Sequence, residues 1–201
     1  MVARRPTVRE TEIKLRVNDL AGMIRKLSHL GARCSGRVLE RNTLYDTPDS
    51  DIRHRKRVLR LRSETPSPSR LVSGGQRRAW ITSKRPAQAA TSGRYKENLE
   101  REAPLPSANI WGTAVRAIGF RAGFRYEKFR TSLRLLGLHL DLDETPVGVF
   151  LEIEGAPRSI DRVAGALGFS RRDYIRSTYW DLYAAKWRAR GEIPRNMLFR
   201  A

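Results

Sequence analysis

From Glu10 to Val17 the chain alternates: Glu10, Glu12, Lys14 and Arg16 take one parity, Thr11, Ile13, Leu15 and Val17 the other. A period of two is that of a β-strand, whose successive side chains point to opposite faces. The same reading predicts seven further strands, over residues 37–45, 57–64, 78–84, 95–102, 124–135, 138–143 and 149–154. Between them the period lengthens. Leu20, Met23, Ile24, Leu27 and Leu30 recur at helical spacing behind an Asn18-Asp19 N-cap, and Gly31 ends the run. Helices are also expected over 108–118, stopped by Gly119, over 160–167, ended by Gly168, and over 174–188. Residues 65–75, rich in Pro, Ser and Gly, and residues 86–93 read as loops, and Asp46-Thr47-Pro48-Asp49 as a turn.

About eight strands joined mostly by short turns favour antiparallel neighbours. The expected class is α+β, a sheet with flanking helices. The 201 residues suit one domain over 10–188, with a basic lead-in at 1–9 and a basic tail at 189–201. No stretch has the apolar length to span a bilayer, and the Arg-rich start lacks the hydrophobic run of a signal peptide. The expectation is a cytoplasmic protein with no membrane partner. The lone Cys34 excludes an internal disulfide and fits a reducing compartment. His29, His54 and His139 are scattered, which argues against a His/Cys zinc site.

Charge alters the picture. Lys and Arg number 40 against 21 acidic residues, a net charge of +19. Such an excess calls for an anionic partner, and the arginine fork suits phosphate oxygens. Position says more than the total. Glu10/Glu12, Arg60/Arg62, Glu100/Glu102, Lys128/Arg130, Asp141/Asp143 and Glu152/Glu154 are like-charged pairs two residues apart, each on one face of its strand. A solvated face would interleave signs, because identical neighbours repel. If the sheet closes into a barrel, these faces line a charged lumen and the apolar faces lie outside under the helices.

Arg60, Arg62, Lys84, Lys128 and Arg130 would grip phosphate oxygens in such a lumen. Carboxylates face phosphates only with a cation between them, so Glu10, Glu12, Asp143, Glu152 and Glu154 read as ligands for Mg2+ or Mn2+. The alternative is plain salt bridging between the carboxylates and the arginines, with no metal.

Glu10-x-Glu12-x-Lys14 resembles the ExExK signature of the CYTH superfamily, the triphosphate tunnel metalloenzymes. The resemblance continues through Asn42-Thr43-Leu44-Tyr45-Asp46-Thr47-Pro48, Leu59-Arg60-Leu61-Arg62, Ile81-Thr82-Ser83-Lys84 and Glu127-Lys128-Phe129-Arg130. Leu142-Asp143-Glu144-Thr145-Pro146, Gly148 to Gly155 and Ser177-Thr178-Tyr179 complete it. It implies an eight-stranded antiparallel β-tunnel, dependence on a divalent metal and a triphosphate substrate. Carried over by position, Glu10, Glu12, Glu152 and Glu154 match acidic positions tied to metal, and Asp143 an acidic site position. Lys14, Arg60, Arg62, Lys84, Lys128 and Arg130 match phosphate-binding positions. The fifth strand departs from the family's Arg-x-Glu-x-Glu series. Either Glu100 and Glu102 are its acidic pair with Asn98 in the basic place, or Lys96, Asn98 and Glu100 fill the series.

Members of this family include inorganic and thiamine triphosphatases, RNA triphosphatases and class IV adenylate cyclases. The expectation placed first is a metal-dependent triphosphatase with Glu10, Glu12, Lys14, Glu152 and Glu154 at its catalytic centre, because water is always available and no nucleotide-base reader stands out. A class IV adenylate cyclase making cyclic AMP and pyrophosphate from ATP is the alternative. A non-catalytic polyphosphate or RNA binder comes third, since few aromatics interleave the surface arginines. The family leaves room for a homodimer.

Overall fold

The computed structural model describes residues 7–67, 76–87, 93–192 and 195–199. The expected loops at 65–75 and 86–93 fall largely outside them. Eight strands form: β1 Val8–Val17, β2 Arg33–Asp46, β3 Val58–Pro66, β4 Arg78–Pro86, β5 Lys96–Leu105, β6 Arg121–Leu135, β7 Leu138–Thr145 and β8 Gly148–Glu154. All neighbours are antiparallel. The ring β1-β5-β4-β3-β2-β6-β7-β8 closes on itself, so the expected α+β barrel is what the chain adopts.

Five helices flank the barrel: α1 Leu20–His29, α2 Asp51–His54, α3 Ala108–Ala117, α4 Pro157–Ala166 and α5 Tyr179–Arg188. The single turn of α2 has no periodic signal in the sequence. It forms because the Asp46 carboxylate accepts the backbone N–H groups of Thr47, Ile52 and Arg53. The helix expected over 174–188 begins only at Tyr179. A capping box fixes that start: Thr178 Oγ accepts from Asp181 N, and Asp181 accepts from Thr178 N. Before it the chain is extended, and Ile175 N donates to the Lys14 carbonyl at 2.8 Å.

Alternation sorts the strands into an outer apolar face and an inner polar one. Ile13, Leu15, Leu140, Leu142, Leu151 and Ile153 point outward and are buried under Met23 and Leu27 of α1 and Ile160 and Val163 of α4. Each such side chain contributes roughly 1.5–3 kcal/mol by leaving water. On the opposite side, Val115 of α3 packs on Tyr45 and Leu61. The main hydrophobic core thus lies between barrel and helices, which leaves the lumen free for charge. Among the described residues, no helix is long and apolar enough to cross a membrane.

Candidate active site

The strand order sorts the inward charges into two arcs. Neighbouring strands β5, β1, β8 and β7 supply Glu100, Glu102, Glu10, Glu12, Glu152, Glu154, Asp141 and Asp143. On the other side of the ring, β4, β3 and β6 supply Lys84, Arg60, Arg62, Lys128 and Arg130, with β2 lying between β3 and β6. An acidic wall therefore faces a basic wall, with Lys14 and Lys96 set into the acidic arc and Glu40 into the basic one. Both candidate registers of the fifth strand face the lumen together. Asn98 stands opposite Glu10 and Lys96 opposite Glu12, while Glu100 and Glu102 stand opposite Lys84 and Thr82 of β4.

The two walls are ion-paired with each other. Arg130 binds Asp143 with both ends of its fork at 2.7 Å, and reaches Asp141 at 2.7 Å and Glu152 at 2.6 Å. Lys128 lies 2.8 Å from Asp143, and Arg62 spans Glu40 and Glu102 at 3.3 and 3.1 Å. Arg60 donates to Thr82 Oγ1 at 3.2 Å. Lys84 bridges Glu10 at 2.8 Å and Glu100 at 2.6 Å, and Lys96 holds Glu12 at 2.6 Å.

Burial makes these charges consequential. Burial and Arg130 oppose the charge on Lys128, yet Asp143 and Glu40 keep its pKa above the usual lysine range. Burial by itself would raise Glu152, but Lys14, Lys128 and Arg130 hold it well below the carboxylate range. Glu154 differs. It makes no ion pair among the described residues, and burial, with Glu10 next and Glu12 adding, pushes its pKa up to about 7.

One end of the lumen is stopped. Beyond Glu152 and Lys128 the inward positions turn aromatic, at Phe150, Tyr126 and Phe124, and α5 packs Tyr179 and Tyr183 against them. Tyr179 reaches the charged region and donates its hydroxyl to Asp143 Oδ2 at 2.7 Å. Burial, with Asp143 and Glu152, raises its pKa well above the usual phenol range, so it stays a donor. Lys14 lies 4.3 Å from the Tyr179 ring centroid and donates to the Ser177 carbonyl at 3.0 Å. A cavity of about 530 Å³ between α5, Pro146, Val147 and the segment around Phe199 lies outside the lumen.

Sequence reasoning passed over three lumen residues. Glu40 is fully buried among Lys128, Arg62 and Arg130, yet it has no like-charged partner two residues away to signal it. His139 shares parity with Asp141 and Asp143, which is the one signal that marks it. Tyr179 reads as a packing residue on an amphipathic helix, whereas its hydroxyl belongs to the lumen.

The chemistry of the donor set fits a hard divalent cation. Burial, Glu10 and Glu12 raise the pKa of Glu154 against the opposing pull of His139 and Lys84, and Glu154 is in no ion pair among the described residues. Among the described residues, no three His, Cys, Asp or Glu side chains already converge into a coordination sphere.

Comparison with known proteins bears on the same residues. The family model for the CYTH domain matches residues 8–171. A candidate adenylate cyclase from Vibrio parahaemolyticus superposes with a TM-score of 0.72 at 16% identity, covering 86% of this chain and 96% of that one. A protein from Pyrococcus horikoshii gives 0.71 at 20% identity, with 88% and 99% covered. A Hippeastrum protein, described as a candidate adenylyl cyclase with a dominant triphosphatase activity, gives 0.58 at 18%, with 92% and 97% covered. These likenesses are of fold. No curated protein matches the sequence.

Proposed function

The chain belongs to the CYTH domain family, and within it we propose a divalent-metal-dependent triphosphatase acting on a small triphosphate in the lumen. The observation that carries this reading is the pair of facing walls. A closed barrel with a basic arc on one side and carboxylates opposite accommodates a polyanion and a cation together, and little else.

Arg60, Arg62, Lys84, Lys128 and Arg130 would receive the phosphate oxygens, each exchanging a carboxylate partner for a phosphate. Glu10, Glu12 and Glu154 would hold Mg2+ or Mn2+, which when bound neutralises phosphate charge. Asp143, Glu152, Glu100 and Glu102, also expected as ligands, are ion-paired with lysine or arginine and in this reading keep those cations in place, whereas Glu10 and Glu12 would give up Lys84 and Lys96 for the metal ion. Lys14, between Glu152 and the Tyr179 ring, would keep one phosphate oxygen at the stopped end of the lumen. Water attacks the terminal phosphorus in line, the P–O bond to the next phosphate breaks, and orthophosphate leaves. A cytoplasmic setting and a small-molecule partner go with this reading.

A class IV adenylate cyclase uses the same lumen, with a ribose 3′-hydroxyl attacking the α-phosphorus. Incubation with tripolyphosphate, thiamine triphosphate and ATP, each with Mg2+ or Mn2+, separates the readings. Orthophosphate from any of them supports the triphosphatase. Cyclic AMP with stoichiometric pyrophosphate overturns it in favour of the cyclase, and tight, salt-sensitive RNA binding without turnover overturns both.

A further inference from the structure

We infer that His139 supplies a nitrogen ligand to the divalent-cation site beside Glu12 and Glu154, and so biases that site toward a first-row transition ion such as Mn2+ over Mg2+. The inference rests on the metal-dependent reading above and specifies which ion it takes.

Register places the three residues in one row. Glu12 of β1 stands opposite Glu154 of β8, and Glu154 stands opposite His139 of β7. Adjacent strands lie about 4.8 Å apart, so the row spans roughly 10 Å with Glu154 at its centre. His139 takes the lumen parity of Asp141 and Asp143, while Leu138, Leu140 and Leu142 take the outer core.

The contacts of the ring identify its free nitrogen. His139 Nε2 lies 3.1 Å from Asp141 Oδ1. Asp141 also accepts from Ser132 Oγ at 2.6 Å and pairs with Arg130 at 2.7 Å. With one oxygen accepting from Ser132 and the other paired with Arg130, Asp141 presents lone pairs to Nε2, so the proton sits on Nε2. The lone pair then sits on Nδ1, which is shut off from solvent and has no hydrogen-bond partner among the described residues. Protonating Nδ1 as well would only exchange an unmet acceptor for an unmet donor. Either is unfavourable when buried. A metal ion meets the need, and a carboxylate behind a histidine's other nitrogen is how ligating imidazoles are commonly oriented.

The consequence is selectivity. An all-carboxylate site suits Mg2+, whereas an imidazole nitrogen adds affinity for transition ions more than for Mg2+. The test uses the full chain without substrate. Spin-echo modulation of bound Mn2+ is expected to show a 14N coupling that persists in His29→Gln and His54→Gln, both exposed positions, and vanishes in His139→Gln. That variant should bind Mn2+ at least about tenfold more weakly, while Mg2+ affinity, read by competition, changes much less. Mn2+ bound without 14N coupling in the unmodified chain overturns the inference and leaves the metal-dependent reading standing. No Mn2+ or Mg2+ binding at all overturns both.

Discussion

The Tyr179 hydroxyl donates to Asp143 Oδ2 at 2.7 Å, tying the first residue of α5 to a carboxylate on β7. The same carboxylate is held by Lys128 and by both ends of the Arg130 fork. The helix that stops one end of the lumen is therefore fixed to the residues that would grip substrate. Tyr179→Phe keeps the packing on Phe150 and Tyr126 and removes only this bond. A buried hydrogen bond to a charged acceptor is worth about 1.5–3 kcal/mol, so the urea midpoint should fall accordingly. An unchanged midpoint would show that the bond carries no net stability.

Glu12→Gln and Glu154→Gln test the metal-holding carboxylates. Each keeps the size of the side chain and removes an anionic donor. Calorimetric titration with Mn2+ should show affinity falling by more than the roughly 10–100-fold typical of outer-shell changes, with turnover falling alongside. Full activity in both variants would end the metal assignment.

Glu40 is an anion buried inside the basic arc, within 3.3 to 3.7 Å of Arg62, Lys128 and Arg130. Glu40→Gln leaves three buried cations short of a counter-charge, at a cost of about 3–5 kcal/mol in unfolding free energy. Tripolyphosphate supplies the missing negative charge. Its stabilisation of the variant in a thermal melt should exceed its stabilisation of the unmodified chain. Equal shifts would mean that phosphate does not settle against Glu40's partners.

The pH dependence of the metal-free protein follows from Glu154. Its folded pKa of about 7 lies above the ordinary glutamate value of 4.5, so the folded state binds the proton more tightly than the unfolded one. That contribution to stability is complete below about pH 4.5 and is lost as pH rises through about 7. Glu40 and Glu152 act in the opposite sense, because their folded pKa values are depressed and their contributions are lost in acid. Denaturation of the chelated protein between pH 5 and about 8 should show a downward component that Glu154→Gln abolishes and that saturating metal suppresses. A profile identical in the variant would place Glu154 in an ordinary solvated setting.

How much of this was legible in the sequence depends on the range of the interaction. Alternation is local, so the eight strands and the inward parity of Glu10, Glu12, Arg60, Arg62, Lys128 and Arg130 could be read directly from residue spacing. So could α1, whose Asp19 cap accepts the Gly22 N–H at 2.8 Å. Apolar spacing places the start of α5 a few residues early, because that spacing begins before the capping box does.

Pairing across the barrel is not local. No spacing in the sequence puts β5 between β1 and β4 or β6 beside β2, and that order is what gathers acids into one arc and bases into the other. The sequence determined which side chains turn inward. Only closure of the sheet decided which of them meet: Lys84 with Glu10, Arg130 with Glu152, Tyr179 with Asp143, and His139 in the row of Glu12 and Glu154. The physical reason is that side-chain direction is set within a strand, while partners are set by hydrogen-bond register between strands far apart in the chain.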